Sequence, residues 1–347
     1  MSTTIILYVS GDKGVATLKK NGGDWKLESH GLQDWAVPKV GVTASKPGRI
    51  FAGTRGDGVW LSEDFGNKWT KPSYGKRGPG KVRCVAVHPS DLDTIYAGCE
   101  PIDIYVSSDA AKNWTRLESV RNTPGVAEFG YPLANVEPHV RDIVFDIAHP
   151  DVLYAALQVG FMLKSADGGK TWKLLDKGLD ADVHAIVIEP RNSKRIFIAS
   201  GGDSYRAGQA PGRSLYVSED GGESWSPMAM NFDEEYSVPL VIHPNDPKTL
   251  YTALAHGSPG SWRRPTGAES CLLKTIDGGK NWQKLSNGPN DGGKSFTEVL
   301  AIDDESPHCM YAGSRGGDIY TSDDSGENWR KLDIKVPSIS DMKCVHA

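Results

Sequence analysis

The chain has 347 residues, 38% hydrophobic and 24% charged, with a formal charge of -5. A mean hydropathy of -0.41 and apolar runs well short of the roughly 20 residues that span a bilayer exclude a helical membrane protein. Lysine and arginine are scattered along the chain, so no basic stripe marks a nucleic-acid surface.

The first residues, MSTTIILYVSGDKG, lack a basic segment ahead of the apolar stretch and a small-residue cleavage site, so they read as a strand and not as an export signal. Five cysteines, an odd number without a CxxC pair, fit free thiols in a reducing compartment, and the expected location is the cytoplasm. Cys84 and Cys344 fall inside apolar strand patterns and are expected in the core.

From there one string recurs along the chain. It appears as LKKNGGDW ending at Trp25, SEDFGNKW at Trp69, SSDAAKNW at Trp114, SADGGKTW at Trp172, SEDGGESW at Trp225, TIDGGKNW at Trp282 and SDDSGENW at Trp329; the first copy has lost its Ser and Asp. Upstream of each lies a strand with an aromatic second residue, such as Ile95-Tyr96, Ile196-Phe197 and Met310-Tyr311. Further upstream is an alternating strand that often ends at a proline turn, as in VRCVAVHP and VHAIVIEP. Each period therefore holds four short strands, the content of one propeller blade. The closing SDMKCVHA resembles a first strand and is expected to complete the N-terminal blade, which removes an open sheet edge.

These strings resemble the boxes of Asp-box (BNR) propellers over nearly the whole chain, as in the sortilin, xyloglucanase and photosystem II assembly-factor types. The resemblance implies an all-β fold: one seven-bladed β-propeller with four-stranded blades spanning 1–347. It also implies that the box is a turn between third and fourth strands. There the Asp accepts backbone amides, Gly takes conformations other residues resist, and Trp packs between blades. The box residues are accordingly read as structural.

Function is sought where the repeat breaks. Successive tryptophans are 44, 45, 58, 53, 57 and 47 residues apart, so three adjacent blades carry lengthened loops at 117–139, 201–214 and 256–270. All three are expected to crowd one side of the channel mouth, where a rigid scaffold places function. His88, His149, His243 and His346 share one turn register, and His308 precedes a second strand; these read as structural, leaving His30, His139, His184 and His256. Counting five positions back from the residue before the turn proline gives Gly41, Arg83, Val144, His184, Val238, Glu298 and Asp341. Four ionisable groups at one level of the innermost strands form either a solvated ion-pair network or part of a ligand site. Arg55 and Arg315 occupy equivalent loops in AGTRGDG and AGSRGGD, with Lys13 the nearest counterpart in the first blade. Such a basic arc attracts a carboxylate, phosphate or sulfate.

The expectation that follows is a propeller enzyme, a lyase or hydrolase, acting on a small polar or anionic organic molecule above blades four to six. His184 and His139 are candidates for the base, Tyr205 and Tyr236 for proton transfer, and Glu298 for the carboxylate. Arg83, Arg141, Arg55, Arg315, Trp262 and Arg263 are candidates for substrate binding. A divalent metal would be held by His139, His184, His256 and Glu235. No nucleotide or organic cofactor is expected. The alternative is a non-catalytic propeller that binds a ligand, glycan or protein, with Trp262, Arg263 and Arg264 as its anchor. Sialidase activity is not expected, because Arg49-Ile50-Phe51 is the nearest match to the Arg-Ile-Pro motif and lies inside a repeat strand. Xyloglucanases place their catalytic acids in a cleft between two propellers, which one ring does not reproduce. The photosystem II assembly factors act as protein-binding platforms, and seven-bladed lyases use His, Tyr and Arg at the channel mouth.

Overall fold

The structure, a computed structural model, describes residues 4–72, 78–131, 135–202, 213–230, 232, 236–289 and 294–347. Its strands follow one another as antiparallel meanders. Blade 1 contains β1 (Ile5–Gly11), β2 (Gly14–Lys20) and β3 (Trp25–Gly31); blade 2 contains β4 (Lys39–Gly41), β5 (Ile50–Thr54) and β6 (Gly58–Ser62). Blade 3 contains β7 (Val82–His88), β8 (Asp91–Cys99), β9 (Asp103–Ser107) and β10 (Thr115–Arg116). Blade 4 contains β11 (His139–Phe145), β12 (Leu153–Gln158), β13 (Met162–Ser165) and β14 (Lys173–Leu175). Blade 5 contains β15 (Val183–Glu189), β16 (Asn192–Ser200), β17 (Leu215–Ser218) and β18 (Ser226–Pro227). Blade 6 contains β19 (Tyr236–His243), β20 (Asp246–Ala255), β21 (Cys271–Thr275) and β22 (Gln283–Lys284). Blade 7 contains β23 (Thr297–Ile302), β24 (Met310–Ser314), β25 (Asp318–Ser322) and β26 (Arg330–Lys335), and β27 (Asp341–His346) follows.

The fold is a seven-bladed β-propeller. β27 pairs with β1, from Ile5 opposite His346 to Ser10 opposite Asp341, and supplies the fourth strand of blade 1. Blade 2 shows three strands among the described residues, with a single Leu61–Thr70 bridge where a fourth would run. The chain groups into two compact units. One comprises 1–174 with 336–347 and holds blades 1 to 4 with β27; the other comprises 175–335 and holds blades 5 to 7.

Within each unit the apolar core is a series of slabs between neighbouring blades. Phe51, Val82, Val85 and Ala97 pack between blades 2 and 3, while Tyr251, Leu272, Phe296 and Met310 pack between blades 6 and 7. Second strands such as IFAGT and MYAGS are buried along their whole length. A strand covered on both faces needs apolar residues at every position instead of alternate ones. The small residues in its second half let the next blade approach: a Cβ on Gly53 would lie 2.5 Å from a Val82 methyl.

The Ser or Thr and the Asp of the repeated turn make the same hydrogen bonds six times, and the Trp indole adds one in blades 2, 3 and 7. In blade 2 the Ser62 hydroxyl donates to Asp64 Oδ1 at 2.9 Å and accepts the Gly66 amide at 2.9 Å. Asp64 Oδ1 also accepts the Lys68 amide at 2.8 Å, and Trp69 Nε1 donates to the Gly66 carbonyl at 3.1 Å. Side-chain oxygens thus satisfy the amides of a turn too tight to satisfy its own. These hydrogen bonds hold the turn carboxylates below the usual range; for Asp220 the largest is from the Ser224 hydroxyl, and the value falls to about 2. Blade 3 builds the turn with Ala110 and Ala111 at φ 57° and 67°, the positions where blade 5 uses Gly221 and Gly222. The side-chain hydrogen bonds offset the left-handed strain that alanine carries there.

Candidate functional site

The feature that positions the ionisable ring is a one-residue β-bulge between first and second strands. The register slips at Arg83 in blade 3, at Arg141 in blade 4, at His184 in blade 5 and at Glu298 in blade 7; in blade 6 the slip spans Val238 and Pro239. A bulge re-aims the extra side chain and ends regular pairing. This corrects one register assignment from the sequence: Arg141, not Val144, occupies the blade 4 position. The turn after β11 runs from Asp146 to Val152 before β12 begins, so its proline lies three residues further from the bulge than counting from the turn assumed.

Each bulge side chain meets the second-strand residue one beyond the partner of the residue before the bulge. Arg83 Nε lies 3.2 Å from Glu100 Oε2, Arg141 Nη1 donates to Gln158 Oε1 at 2.8 Å, and Arg315 Nε donates to Glu298 Oε2 at 2.9 Å. Blade 5 has Gly201 at that position. A Cβ there would fall 2.1 Å from Asp182 Oδ2, and Asp182 fills the space beside His184. Asp341 lies in β27 without a bulge; its carboxylate accepts the Val40 amide at 3.0 Å and pairs with Lys343 at 3.5 Å.

In the first unit Arg83 and His139 form the centre of the cluster. Arg83 Nη2 donates to His139 Nε2 at 2.7 Å, and His139 Nδ1 lies 2.9 Å from the Glu137 carbonyl. A carbonyl only accepts, so Nδ1 carries the hydrogen and Nε2 presents its lone pair to Arg83. Burial first, then the charges of Arg83, Arg141 and Arg55, push His139 down to about 3. Burial and the neighbouring Arg55 and Arg141 also lower Arg83, to about 10, against the pull of Glu100. Tyr131 stacks on His139 and receives a hydrogen bond from Gln158 Nε2 at 3.1 Å. Arg55 and Lys81 approach the buried Glu100 carboxylate only at 3.8 and 3.9 Å, and both are largely exposed.

Next to this cluster along the chain, residues 101–102, 121–129 and 137–138 line a pocket of about 320 Å³. Pro101, Ile102, Val126, Ala127, Phe129 and Pro138 form its walls, with Arg121 and Glu137 among its lining. Arg121 is held by Asp103 at 3.2 Å, which also binds Arg116 at 2.8 Å.

In the second unit a continuous aromatic chain links the candidates. His184 is 2% exposed; its Nδ1 lies 2.5 Å from the Ser237 carbonyl, and its Nε2 lies 3.2 Å from Asp182 Oδ1 without hydrogen-bond alignment. Its ring packs on Tyr236, Tyr236 on Trp262, and Trp262 stacks on Phe296 with centroids 4.8 Å apart. Arg315 lies over Trp262 at 5.0 Å. Trp262 thus packs against Phe296, Tyr236 and Arg315, and its Nε1 donates to the Gly257 carbonyl. Trp262 is therefore half-buried against these side chains. His256 and Arg263 are exposed, while Tyr205 and Glu235 lie outside the described residues.

Among the described residues the three candidate histidines do not assemble a metal site. His139 Nε2 is capped by a guanidinium, and both His184 nitrogens face protein oxygens. Among the described residues none of His139, His184 and His256 belongs to a group of three clustered ligand atoms. Glu100, Gln158 and Asp182 were missed by sequence reasoning. Glu100 was detectable, since it follows AGC as Arg55 follows AGT and Arg315 follows AGS.

A seven-bladed propeller with bulge-aimed ion pairs is the class that fold and site define. Against known proteins, the Sortilin-Vps10 family, described as sortilin and neurotensin receptor 3, matches residues 161–291. The xyloglucanase Xgh74A of Acetivibrio thermocellus is 32% identical over 121 residues, 32% of this chain and 14% of the enzyme. Among solved structures, the GH74 xyloglucanase from Xanthomonas campestris aligns with a TM-score of 0.63 at 19% identity, over 85% of this chain and 45% of that one. The structure of YCF48 bound to D1 peptide aligns with a TM-score of 0.57 at 15% identity, over 88% of this chain and 86% of that one. The chain therefore spans less than half of either xyloglucanase and most of YCF48.

Proposed function

We propose that this chain is a binding propeller whose first unit takes a carboxylate-bearing polypeptide at the Arg55, Lys81 and Arg83 cluster. The observation that carries this reading is one buried carboxylate, Glu100, facing three cations, two of them exposed and at long range. A site with surplus exposed positive charge attracts an anionic partner and orients it. The candidate bases argue against turnover: His139 offers its lone pair to Arg83, and Glu298 is paired with Arg315. The YCF48 structure supports a peptide as partner, since that propeller matches over nearly its whole length and is described as bound to a peptide. The five cysteines, none of them in a disulfide, support a reducing compartment, and we propose the cytoplasm as the location.

The test is fluorescence anisotropy with a fluorescein-labelled glutamate-rich decapeptide at low salt. Wild type should bind, and the Arg55→Ala/Lys81→Ala variant should lose at least about tenfold in affinity, while Arg263→Ala should bind as wild type does. Failure of wild type to bind overturns the reading. The likeness to xyloglucanases favours a second reading, a glycan hydrolase, and release of reducing ends from xyloglucan by the purified chain would establish it instead.

A further inference from the structure

We infer that the closing strand β27 positions the cation cluster: Ser340 and Asp341 hold residues 36–41 of blade 2, and a row of main-chain hydrogen bonds carries that hold to Arg55, Lys81 and Glu100. Its effect on ligand affinity rests on the carboxylate reading above; its effect on the backbone does not.

The first strand of blade 2 is three residues long and pairs only Lys39, Val40 and Gly41 with β5. β27 supplies further support. The Ser340 amide donates to the Ser10 carbonyl of blade 1 at 2.8 Å, and the Ser340 hydroxyl lies 3.1 Å from the Pro38 carbonyl and 3.4 Å from that of Val37. Asp341 is 4% exposed, and its carboxylate accepts the Val40 amide at 3.0 Å. A buried amide needs an acceptor, and here it comes from another blade, 301 residues further along the chain. The Val37 amide donates to the Gly11 carbonyl at 2.9 Å, and Lys39 Nζ pairs with Asp142 Oδ1 of blade 4 at 2.8 Å.

From this segment the hydrogen bonds run on to the cluster. The Arg55 amide donates to the Ala36 carbonyl at 2.9 Å. Arg55 and Lys81 form an isolated antiparallel bridge, and the Glu100 amide donates to the Lys81 carbonyl at 3.0 Å. The two exposed cations and the carboxylate they face are thus successive links of one row that ends on β27. Arg55 lies beyond the end of β5 at Thr54, so these contacts set its backbone. Contiguous segments held by a few hydrogen bonds open as cooperative units, and release of 36–41 frees Arg55 from its place beside Glu100. A ligand that must order Arg55 as it binds loses affinity. Ser340 and Asp341 are therefore positioning residues for the cluster, without touching a ligand themselves.

Hydrogen exchange of the full-length chain, read by mass spectrometry, tests this without a ligand. Asp341→Ala should speed exchange in the peptides containing Val40, Arg55 and Glu100 by about tenfold, and leave β12 (Leu153–Gln158) unchanged. Asp341→Asn, which keeps an oxygen acceptor, should restore protection at Arg55. Ser165→Ala removes the hydroxyl that holds the blade 4 turn and should leave Arg55 at the wild-type rate, which separates positioning from lost overall stability. Should Asp341→Ala fail to fold, Ser340→Ala carries the same comparison, with the same peptides faster by about threefold or more. Faster exchange at Val40 with Arg55 and Glu100 unchanged overturns the inference, as does a uniform increase across all blades. Asp341→Ala should also weaken binding of the glutamate decapeptide by about threefold or more; unchanged affinity beside faster Arg55 exchange overturns the positioning role. If wild type does not bind the decapeptide, the carboxylate reading falls and the exchange pattern alone decides whether β27 sets the cluster.

Discussion

His139 is buried, neutral and hydrogen-bonded to Arg83, with an ionisation pushed from its ordinary 6.5 down to about 3. Between those values the unfolded chain binds a proton at this residue that the folded chain refuses, so acidification favours unfolding. Each unit below 6.5 removes about 1.36 kcal/mol, and from pH 7 to pH 5 the loss is about 2 kcal/mol. His139→Gln removes the titration while keeping an acceptor for Arg83. Urea unfolding followed by tryptophan fluorescence should therefore show wild type losing about 2 kcal/mol more than the variant between pH 7 and pH 5. The variant itself should cost about 1 kcal/mol at pH 7, for a less well-fitted hydrogen bond. Parallel pH dependences for the two proteins, or a His139 ring proton titrating near 6.5 by NMR, would falsify the Arg83 cap.

Ser107 donates to Asp109 and accepts the Ala111 amide at 3.0 Å inside a buried turn; Ser107→Ala should cost about 1–2 kcal/mol in urea unfolding, and a neutral result would remove the hydroxyl from the turn's support. Truncation after Ser340 bares the β1 edge that β27 pairs from Ile5 to Ser10, so the product should aggregate on size-exclusion chromatography; a monomer with unchanged thermal midpoint would contradict this. Trp262→Ala should destabilise the chain by about 2–3 kcal/mol through lost packing on Phe296 and Tyr236, whereas Arg263→Ala should change stability by less than about 0.5 kcal/mol. Equal effects would return Trp262 to the surface. Glu298→Arg should be strongly destabilising beside Arg315, and adding Arg315→Glu should recover much of the loss in a double-mutant cycle; additive losses would mean the pair is incidental.

The blades were legible because their signal is repeated: the turn Asp, the left-handed pair after it and the Trp recur at fixed spacing, the Ser and Asp under the same local hydrogen bonds, and each is set within eight residues. The 117–139 loop was legible as an irregularity in spacing, and its described residues 121, 126, 127, 129, 137 and 138 line a pocket. What stayed hidden were partners far apart in sequence. Nothing local to His139 tells that Arg83, 56 residues earlier, covers its lone pair, so an imidazole that looked like a free base is a fixed acceptor. The same holds for Trp262, a binding candidate in a polar loop whose contacts with Phe296 and Arg315 come from residues far along the chain. Counting from a turn proline failed at Val144, since turn length varies while the bulge is fixed by pairing with the second strand.

That pairing explains why positive charge accumulates at one place. A bulge side chain and the residue just beyond its second strand form a pair whose charges can be exchanged: Arg83 with Glu100 in blade 3 becomes Glu298 with Arg315 in blade 7. Blade 2 has the second half of the pair, Arg55, without the first, because β4 is only three residues long and pairs Lys39 with Gly53 without a bulge. Arg55 therefore has no carboxylate in its own blade at that position and turns to Glu100, which Arg83 already occupies at shorter range. The surplus cation follows from a shortened strand. Under the proposed function, an anionic group of the partner would meet Arg55, whose side chain is about half exposed beside Glu100.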